Sequence, residues 1–361
     1  MTAAPVESSD YMHFAKTGAG ALYNLATSGV ADCTLADLDV NLNALSLHGP
    51  NVYGFAPLVE CVAARLAVDP GCVVMPGGGC SFANHLAMAA VLQAGDEVLV
   101  EDPTYELLLA TLGYLGARVR RFARRHKDRY SLDVGAVVAG LTASTRLVVL
   151  TNLHNPTGAH SDVAQVHAVA AAASKVGAMV LVDEVYLELL ANGAGAPTAF
   201  HPDGNIITTG SLTKAYGLSG LRCGWVLAPA SLAERMRRLN DLFGVQPPHI
   251  AERVSVLAFD RLAGLRTRAG GMIATNRAAY LEILGHHPAL DQTILDQGTT
   301  MFPRLRSGDG DSLFQRVTAD FDTSVVPGRF FGRPDHIRVG LGGDPAMTRV
   351  GLERLGTALR V

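Results

Sequence analysis

Hydrophobic residues in the middle of the chain come in short runs, separated by longer stretches with apolar residues at helical spacing. An apolar run at 72–75 is followed by Pro76 and three glycines, and then by an alanine-rich helix predicted over 82–92. Further strands are predicted at 97–102, 117–122, 146–151, 178–184, 205–210 and 224–228, and further helices at 56–67, 105–115, 133–141 and 163–175. Valine- and leucine-rich strands that alternate with helices indicate a largely parallel sheet covered on both faces.

The last third of the chain has a different pattern. It is mostly helical from 231 to about 285, and a long helix is expected to leave the sheet there. Strands are predicted at 312–319 and 336–341, and a closing helix at 345–360. A chain of 361 residues exceeds the usual size of one hydrophobic core. We therefore predict a large domain over 46–265, a small α+β domain over 266–361, and an N-terminal segment, 1–45, that contributes to the small domain and the active site.

Composition and charge narrow the class of protein. A net charge of −3 gives no electrostatic reason to expect nucleic acid or an anionic membrane as a partner, and the basic run at 120–129 is predicted to be a solvated edge strand and turn. The five cysteines show no CxxC spacing, so neither a metal site nor a disulfide framework is predicted. Without a signal peptide or an apolar run of about 18 residues, the sequence predicts a cytoplasmic protein with no membrane span.

Polar residues follow the predicted strands at their carboxyl ends, where open α/β sheets bind ligands. They lie at 79–81, 102–105, 152–158, 183–186 and 211–214. The last group contains Lys214, one of four lysines in a chain otherwise rich in arginine. Arginine serves a surface charge equally well, but only a primary amine condenses with an aldehyde to form a Schiff base. We therefore predict that Lys214 is covalently linked to pyridoxal phosphate.

Three motifs carry a family resemblance. HNPTG (154–158), VDEVY (182–186) and SLTKAYGLSGLRCGW (211–225) resemble, in order and spacing, the cofactor signatures of the fold type I pyridoxal-phosphate enzymes, specifically the class I/II aminotransferases. The resemblance spans roughly 24–341. It implies an aspartate-aminotransferase-like α/β fold and transfer of the amino group of an L-amino acid to a 2-oxo acid. It also implies a homodimer, in which Tyr53 is a candidate contact to the partner's cofactor phosphate.

The cofactor's phosphate needs donors and positive charge. A helix N-terminus offers free backbone N–H groups, and Gly79, Cys80 and Ser81 hold that position in the sequence. Ser211 and Arg222 add a hydroxyl and a guanidinium in an S-x-x-K-x(7)-R arrangement.

The cofactor's ring needs different partners. Asp183, after a buried strand, is predicted to pair with the protonated pyridine nitrogen. Asn155 and Tyr186 are predicted to hydrogen-bond the phenolic oxygen, and the resemblance implies that Tyr105 stacks on the ring face. His154, next to Asn155, is expected at least to position that loop.

The substrate is expected on the same side of the sheet. The resemblance implies that Arg338 binds the substrate's α-carboxylate, with Asn155 and the backbone around Ser28 and Gly29 nearby. Lys214, once free of the cofactor, is predicted to be the general base at Cα. No second arginine is evident for a distal carboxylate, so specificity for a dicarboxylic amino acid is not indicated.

The sequence leaves the reaction open. The same cofactor shell serves a lyase, cyclase, decarboxylase or oxidase acting on an amino acid. A non-catalytic cofactor-sensing module is disfavoured, because the 45 or so residues before the sheet are too few and not basic enough for a DNA-binding domain. The amino acid used, the choice among these reactions and the role of Tyr53 are not fixed by sequence.

Overall fold

The computed structural model of the chain describes residues 8–190 and 197–360. The first seven residues of the predicted N-terminal segment therefore lie outside the described part. The segment contains a helix, α1 (Asp10–Thr17), and a short strand, β1 (Tyr23–Asn24). Helix α1 begins where the Ser9 side chain accepts a hydrogen bond from the Met12 N–H at 3.1 Å, as an N-cap does.

The central part of the chain forms a seven-stranded sheet. Its strands are β2 (Val73–Val74), β3 (Glu97–Asp102), β4 (Arg118–Ala123), β5 (Thr145–Thr151), β6 (Met179–Asp183), β7 (Ile206–Ser211) and β8 (Gly224–Leu227). Their order is β2-β8-β7-β6-β5-β3-β4, and only β8 runs antiparallel to its neighbours. The predicted helix-covered, largely parallel sheet is confirmed.

Helices cover both faces of this sheet, because successive strand residues point to opposite sides. The helices of this region are α2 (Ala56–Leu66), α3 (Gly79–Val91), α4 (Glu106–Tyr114), α5 (Val134–Gly140), α6 (Val163–Ser174), α7 (Thr213–Tyr216) and α8 (Ala230–Asn240). Val98 and Val100 pack on the side of α3, α4 and α8, whereas Leu99 between them packs on the side of α5 and α6. Both faces are thus buried, which explains the nearly continuous apolar strands.

After α8, the described residues form four further α-helices and several small sheets. In chain order the elements are α9 (His249–Phe259), α10 (Leu262–Leu284), β9 (Leu290–Asp291), β10 (Thr300–Met301), β11 (Arg304–Leu305), α11 (Gly310–Phe321), β12 (Thr323–Ser324), β13 (Val326–Pro327), β14 (Ile337–Gly340) and α12 (Pro345–Ala358). Strand β1 pairs with β12, so the N-terminal segment joins this unit. The predicted domain boundary falls inside α10 and remains a prediction. No helix in the described residues is long and apolar enough to cross a membrane.

One predicted strand is wrong. Residues 312–319 belong to helix α11, not to a strand. The buried apolar residues Leu313 and Val317 are four positions apart, which puts them on one helix face. The Asp309 side chain accepts a hydrogen bond from the Ser312 N–H at 2.9 Å and caps the helix. The helical spacing of the apolar residues and the N-terminal cap favour a helix here, and they outweigh the strand preference of the β-branched residues.

The basic run is only partly solvated. Strand β4 is an edge strand, as predicted, but Arg124 directly after it is 2% exposed. Its Nε lies 3.3 Å from Oε2 of Glu101, and its Nη2 donates to Ser161 Oγ at 2.6 Å. Burial lowers the pKa of Arg124 and raises that of Glu101 to about 7. The prediction of a solvated run is therefore wrong at this residue, which pairs inside the domain.

Candidate active site

A cavity of about 180 Å³ lies at the carboxyl edge of the sheet. It is lined by ten of the predicted site residues: Ser28, Cys80, Ser81, Tyr105, Asn155, Asp183, Tyr186, Ser211, Lys214 and Arg222. Strand register explains part of this convergence, because Thr151 of β5 lies opposite Asp183 of β6, which lies opposite Thr209 of β7. Parallel strands that end together bring their following loops to one place.

Lys214 lies in the short helix α7, directly after β7. Burial lowers the pKa of its amine; the nearby Tyr11 opposes this shift, and the charges of Arg338 and Arg222 add to it. The unprotonated amine is therefore present at a lower pH than for an exposed lysine, and this is the form that attacks an aldehyde or accepts a proton.

Backbone N–H groups and polar side chains form a cradle at the start of α3. Helix α3 begins at Gly79, so Gly79, Cys80 and Ser81 form its first turn, as predicted. Gly79 has φ +74°, and a Cβ there would lie 2.8 Å from Nη2 of Arg222. That guanidinium also donates to the Gly78 carbonyl at 2.7 Å, which holds it beside the helix N-terminus. Ser211 lines the cavity beside them. The Gly79 N–H already donates to the Arg222 carbonyl at 2.8 Å, so the N–H groups that the first turn offers to a ligand are those of Cys80 and Ser81. With a hydroxyl and a positive charge beside them, they suit a phosphate dianion.

Asp183 ends β6 inside the protein and is 5% exposed. One carboxylate oxygen accepts from Asn84 Nδ2 at 2.7 Å, and the other from the Val185 N–H at 3.0 Å and from Cys80 Sγ at 3.4 Å. Burial nevertheless raises the pKa of Asp183, because these hydrogen bonds and the charge of Lys214 only partly offset it. A cation beside this carboxylate would relieve the cost of its burial.

Asn155 and Tyr186 also line the cavity, and each side chain has one hydrogen-bond partner in the described residues. Nη1 of Arg338 donates to Oδ1 of Asn155 at 3.3 Å, which leaves the amide nitrogen of Asn155 as a donor. The Tyr186 hydroxyl donates to Ser28 Oγ at 2.8 Å and can still accept. Burial raises the pKa of Tyr186, so this hydroxyl keeps its proton at neutral pH.

The backbone of Asn155 is also held by a hydrogen bond. Its N–H donates to Thr151 Oγ1 at 3.0 Å, and that hydroxyl donates to Oε1 of Glu101 at 2.6 Å. The adjacent His154 is buried, and its ring nitrogens lie 2.6 Å from Thr157 Oγ1 and 2.9 Å from the Pro103 carbonyl oxygen. These contacts show His154 positioning the loop, as expected.

The remaining predicted residues are not among those that line the cavity. Arg338, in β14, is fully buried. Gly29 packs against Lys214, where a Cβ would lie 3.2 Å from the Cδ atom. Tyr53 lies elsewhere, with its hydroxyl accepting from Nη1 of Arg238 at 2.7 Å. The prediction that Tyr53 reaches the partner subunit stays a prediction.

Sequence reasoning missed several residues of the site. Asn84 had a detectable signal, since it lies four positions after Cys80 on the same face of α3. Tyr11 and Met12 of α1 also line the cavity, and the Tyr105 hydroxyl donates to Met12 Sδ at 3.3 Å. Nothing in the local sequence pointed to them, because their partners lie about a hundred or more residues away.

Pyridoxal phosphate fits this set of residues. The glycine of the cradle leaves room that a side chain would fill, and the buried carboxylate of Asp183 calls for a cation such as a protonated ring nitrogen. Lys214 shares the cavity with both.

Comparison with known proteins identifies the class. The model of the family described as aminotransferase class I and II matches residues 39–355. The chain belongs to this family. The predicted family, the enzyme class and the cofactor, pyridoxal phosphate, are thereby confirmed.

The names of individual relatives state particular reactions within the family. The chain is 31% identical over 352 residues to capreomycidine synthase of Streptomyces vinaceus, covering 93% of this chain and 90% of that protein. It is 29% identical over 339 residues to the arginine–pyruvate transaminase AruH of Pseudomonas aeruginosa, covering 88% and 86%. Among solved structures, the pyridoxal-phosphate-dependent cyclase OrfR superposes with a TM-score of 0.87 at 23% identity, covering 100% of this chain and 99% of that one.

The hydrogen bond from Asn84 to Asp183 should strengthen the binding of pyridoxal phosphate. Asn84→Ala removes the donor to Oδ2 of Asp183, which should raise the carboxyl's pKa further and weaken its pairing with the ring nitrogen. We expect the affinity of the apoenzyme for pyridoxal phosphate to fall about tenfold. This factor corresponds to the free energy of roughly one hydrogen bond to a charged group. Titration followed by fluorescence of Trp225 measures it. Asn205→Ala is the matched control, because Asn205 binds the Ala170 and Ala178 carbonyls outside the cavity. Equal affinity in wild type and Asn84→Ala contradicts the prediction.

Proposed function

We propose that this enzyme moves the amino group of an L-amino acid to a 2-oxo acid. The observation that carries the proposal is the cavity in which Lys214, of lowered pKa, lies with the buried carboxylate of Asp183 and the phosphate cradle. Pyridoxal phosphate supplies an aldehyde that takes up the amino group and a ring that accepts the electron pair of Cα.

We assign the other roles in the reaction to residues of the chain. Nζ of Lys214 removes the proton from the substrate's Cα, and burial favours the unprotonated amine that this step needs. Asp183 keeps the ring nitrogen protonated through charge pairing. Asn155 and Tyr186 would hold the ring's phenolic oxygen by hydrogen bonds, and Tyr105 would supply an aromatic surface for the ring.

The cavity also favours a class of substrate. Beyond the proposed cofactor shell, its wall is formed by Tyr11, Met12 and Ala15 of α1, which are neutral. A distal carboxylate would meet no cation on these side chains. This supports an amino acid without a second carboxylate.

A second reaction is supported by the comparisons. Capreomycidine synthase and the cyclase OrfR match nearly the whole chain, as the transaminase AruH does. Cyclisation would use the same Lys214 to take the Cα proton, followed by loss of a substituent at Cβ and ring closure by a nucleophile of the substrate. The cofactor shell serves both reactions, so the products decide between them.

The lysine assignment is testable by chemical trapping. Borohydride reduction of the enzyme loaded with pyridoxal phosphate should fix the cofactor to the peptide that contains Lys214, as read by mass spectrometry. Lys214→Arg keeps a positive charge but has no amine, so we expect no trapping and a loss of rate of at least about a thousandfold. Lys175→Arg, at the exposed end of α6, is the control and should behave as wild type. Trapping on another lysine contradicts the assignment.

A product screen tests the reaction itself. The enzyme is incubated with each common amino acid, arginine and β-hydroxylated amino acids included, with and without pyruvate or 2-oxoglutarate. Transamination predicts that product exceeds one equivalent per active site only when the 2-oxo acid is present. Without it, the cofactor's absorbance should shift to the pyridoxamine form and stay there. Ammonia or a cyclised product in the absence of any 2-oxo acid would replace transamination by elimination or cyclisation.

We further propose that the enzyme acts as a homodimer. Its support is a set of highly exposed apolar side chains in two segments: Leu47 and Val52, which are 81% and 77% exposed, and Leu242 and Val245, which are 76% and 69% exposed. The segments touch, because Gln246 Nε2 donates to the Asn51 carbonyl at 2.6 Å. Such an apolar surface favours association with a second copy. Tyr53 directly follows Val52, and its hydroxyl accepts from Nη1 of Arg238 at 2.7 Å, four residues before Leu242.

Charge on this surface should separate the subunits. We expect the variant Leu242→Asp/Val245→Asp to sediment as a monomer at concentrations where wild type sediments as a dimer, because the carboxylates would be buried unpaired. Leu22→Asp is the control: Leu22 is 60% exposed, but it belongs to neither segment, and its N–H donates to Asp322 Oδ1 of the C-terminal unit at 3.0 Å. A monomeric wild type would refute the dimer.

A further inference from the structure

Tyr11 lies between the cavity and Arg338. Its side chain lines the cavity, whereas Arg338 is fully buried and is not among the lining residues of the described chain. Nη2 of Arg338 donates to the Tyr11 hydroxyl at 2.8 Å and to the Ala26 carbonyl at 2.9 Å. A molecule in the cavity therefore meets Tyr11 before it meets the guanidinium.

Two donor hydrogens at this place have no acceptor. The Tyr11 oxygen accepts from Arg338, and the hydroxyl's own hydrogen is given to no acceptor in residues 8–190 and 197–360. Nε of Arg338 is buried and also lacks a partner within the same residues. A buried guanidinium with an unused donor, behind a hydroxyl with an unused hydrogen, suits an anion with two acceptor oxygens.

The electrostatics favour the same ligand. Burial opposes ionisation of Tyr11, but the positive charges of Arg338 and Lys214 outweigh it and lower the pKa of the phenol. The hydroxyl is thus a stronger donor than an ordinary tyrosine. The ring is held by edge-to-face contacts with Tyr105 and Phe330, at centroid distances of 5.2 and 5.5 Å. The hydroxyl is therefore presented in a fixed position.

We propose that Tyr11 donates a hydrogen bond to the α-carboxylate of the amino acid substrate, while Arg338 behind it supplies the positive charge. Tyr11 is then a specificity residue for the carboxylate, and helix α1 forms part of the substrate site. The inference rests on the proposed function, because it requires an amino acid in this cavity. It adds a hydroxyl donor to the carboxylate site in which the sequence placed Arg338.

Two small reagents separate carboxylate recognition from cofactor reactivity. Aminooxyacetate and O-methylhydroxylamine carry the same oxyamine group, which reacts with the aldehyde of pyridoxal phosphate, but only aminooxyacetate carries a carboxylate. The rate of reaction with the loaded enzyme is followed by the change in cofactor absorbance. In Tyr11→Phe we expect the rate constant for aminooxyacetate to fall roughly tenfold to a hundredfold, and that for O-methylhydroxylamine to stay unchanged.

The control is Tyr280→Phe. Tyr280 is also fully buried, and its hydroxyl donates to Gln292 Oε1 at 2.6 Å, away from the cavity. Both rate constants should match those of wild type. In every variant, the reaction with O-methylhydroxylamine reports whether the protein is folded and loaded, so a structural failure of Tyr11→Phe would be visible as loss of both reactions. If Tyr11→Phe loses both reactions, Tyr11→His replaces it as the test variant. Its imidazole N–H restores a hydrogen-bond donor on a ring and should recover the preference for aminooxyacetate.

Opposite results would overturn the inference. An unchanged preference for aminooxyacetate in Tyr11→Phe means that the hydroxyl does not contact the carboxylate. A faster reaction with aminooxyacetate means that Tyr11 blocks Arg338 instead of assisting it. If neither reagent reacts with wild-type enzyme, the proposed function itself fails, and this inference falls with it.

Discussion

The burial of one carboxylate, that of Asp183, is the constraint on which the site depends. A carboxylate removed from water is tolerated only when it is hydrogen-bonded or paired. Its donors come from helix α3 and from the loop after β6, and the Thr209 hydroxyl of β7 fixes the amide of Asn84 by donating to Oδ1 at 2.6 Å. The same helix presents the phosphate cradle at its first turn. The distance between cradle and carboxylate is therefore set by rigid elements, and Lys214 after β7 is held against both.

The other half of the site is assembled from remote parts of the chain. Arg338 of β14 contacts Tyr11 of α1 and Asn155 of the loop after β5. The N-terminal segment is held there by pairing of β1 with β12 and by close approach of the Thr27 carbonyl to Gly340, where any side chain would collide. The substrate end of the cavity therefore depends on the contact between the N-terminal segment and the C-terminal unit. The cofactor end depends on the large sheet alone.

This division explains why the cofactor is easier to identify than the reaction. Every reaction of the cofactor needs partners for its phosphate, its ring and its aldehyde, and the residues proposed for these roles lie at the edge of the large sheet. The residues proposed to face the substrate come instead from α1 and β14, toward the two ends of the chain. The buried pair of Glu101 and Arg124 supports the loop of Asn155 through Thr151 and does not line the cavity.

The sequence by itself determined the parallel sheet, the loops at its carboxyl edge and ten of the residues that line the cavity, because each of these follows from local period, turn chemistry or a short motif around Lys214 and Asp183. It misjudged 312–319, where cap and helical spacing outweighed β-branched residues, and the solvated state of Arg124, whose partner lies in another strand. Only the tertiary structure decided that Tyr11 stands in front of Arg338. Their contact joins residues 327 positions apart, and no local pattern encodes such a pairing.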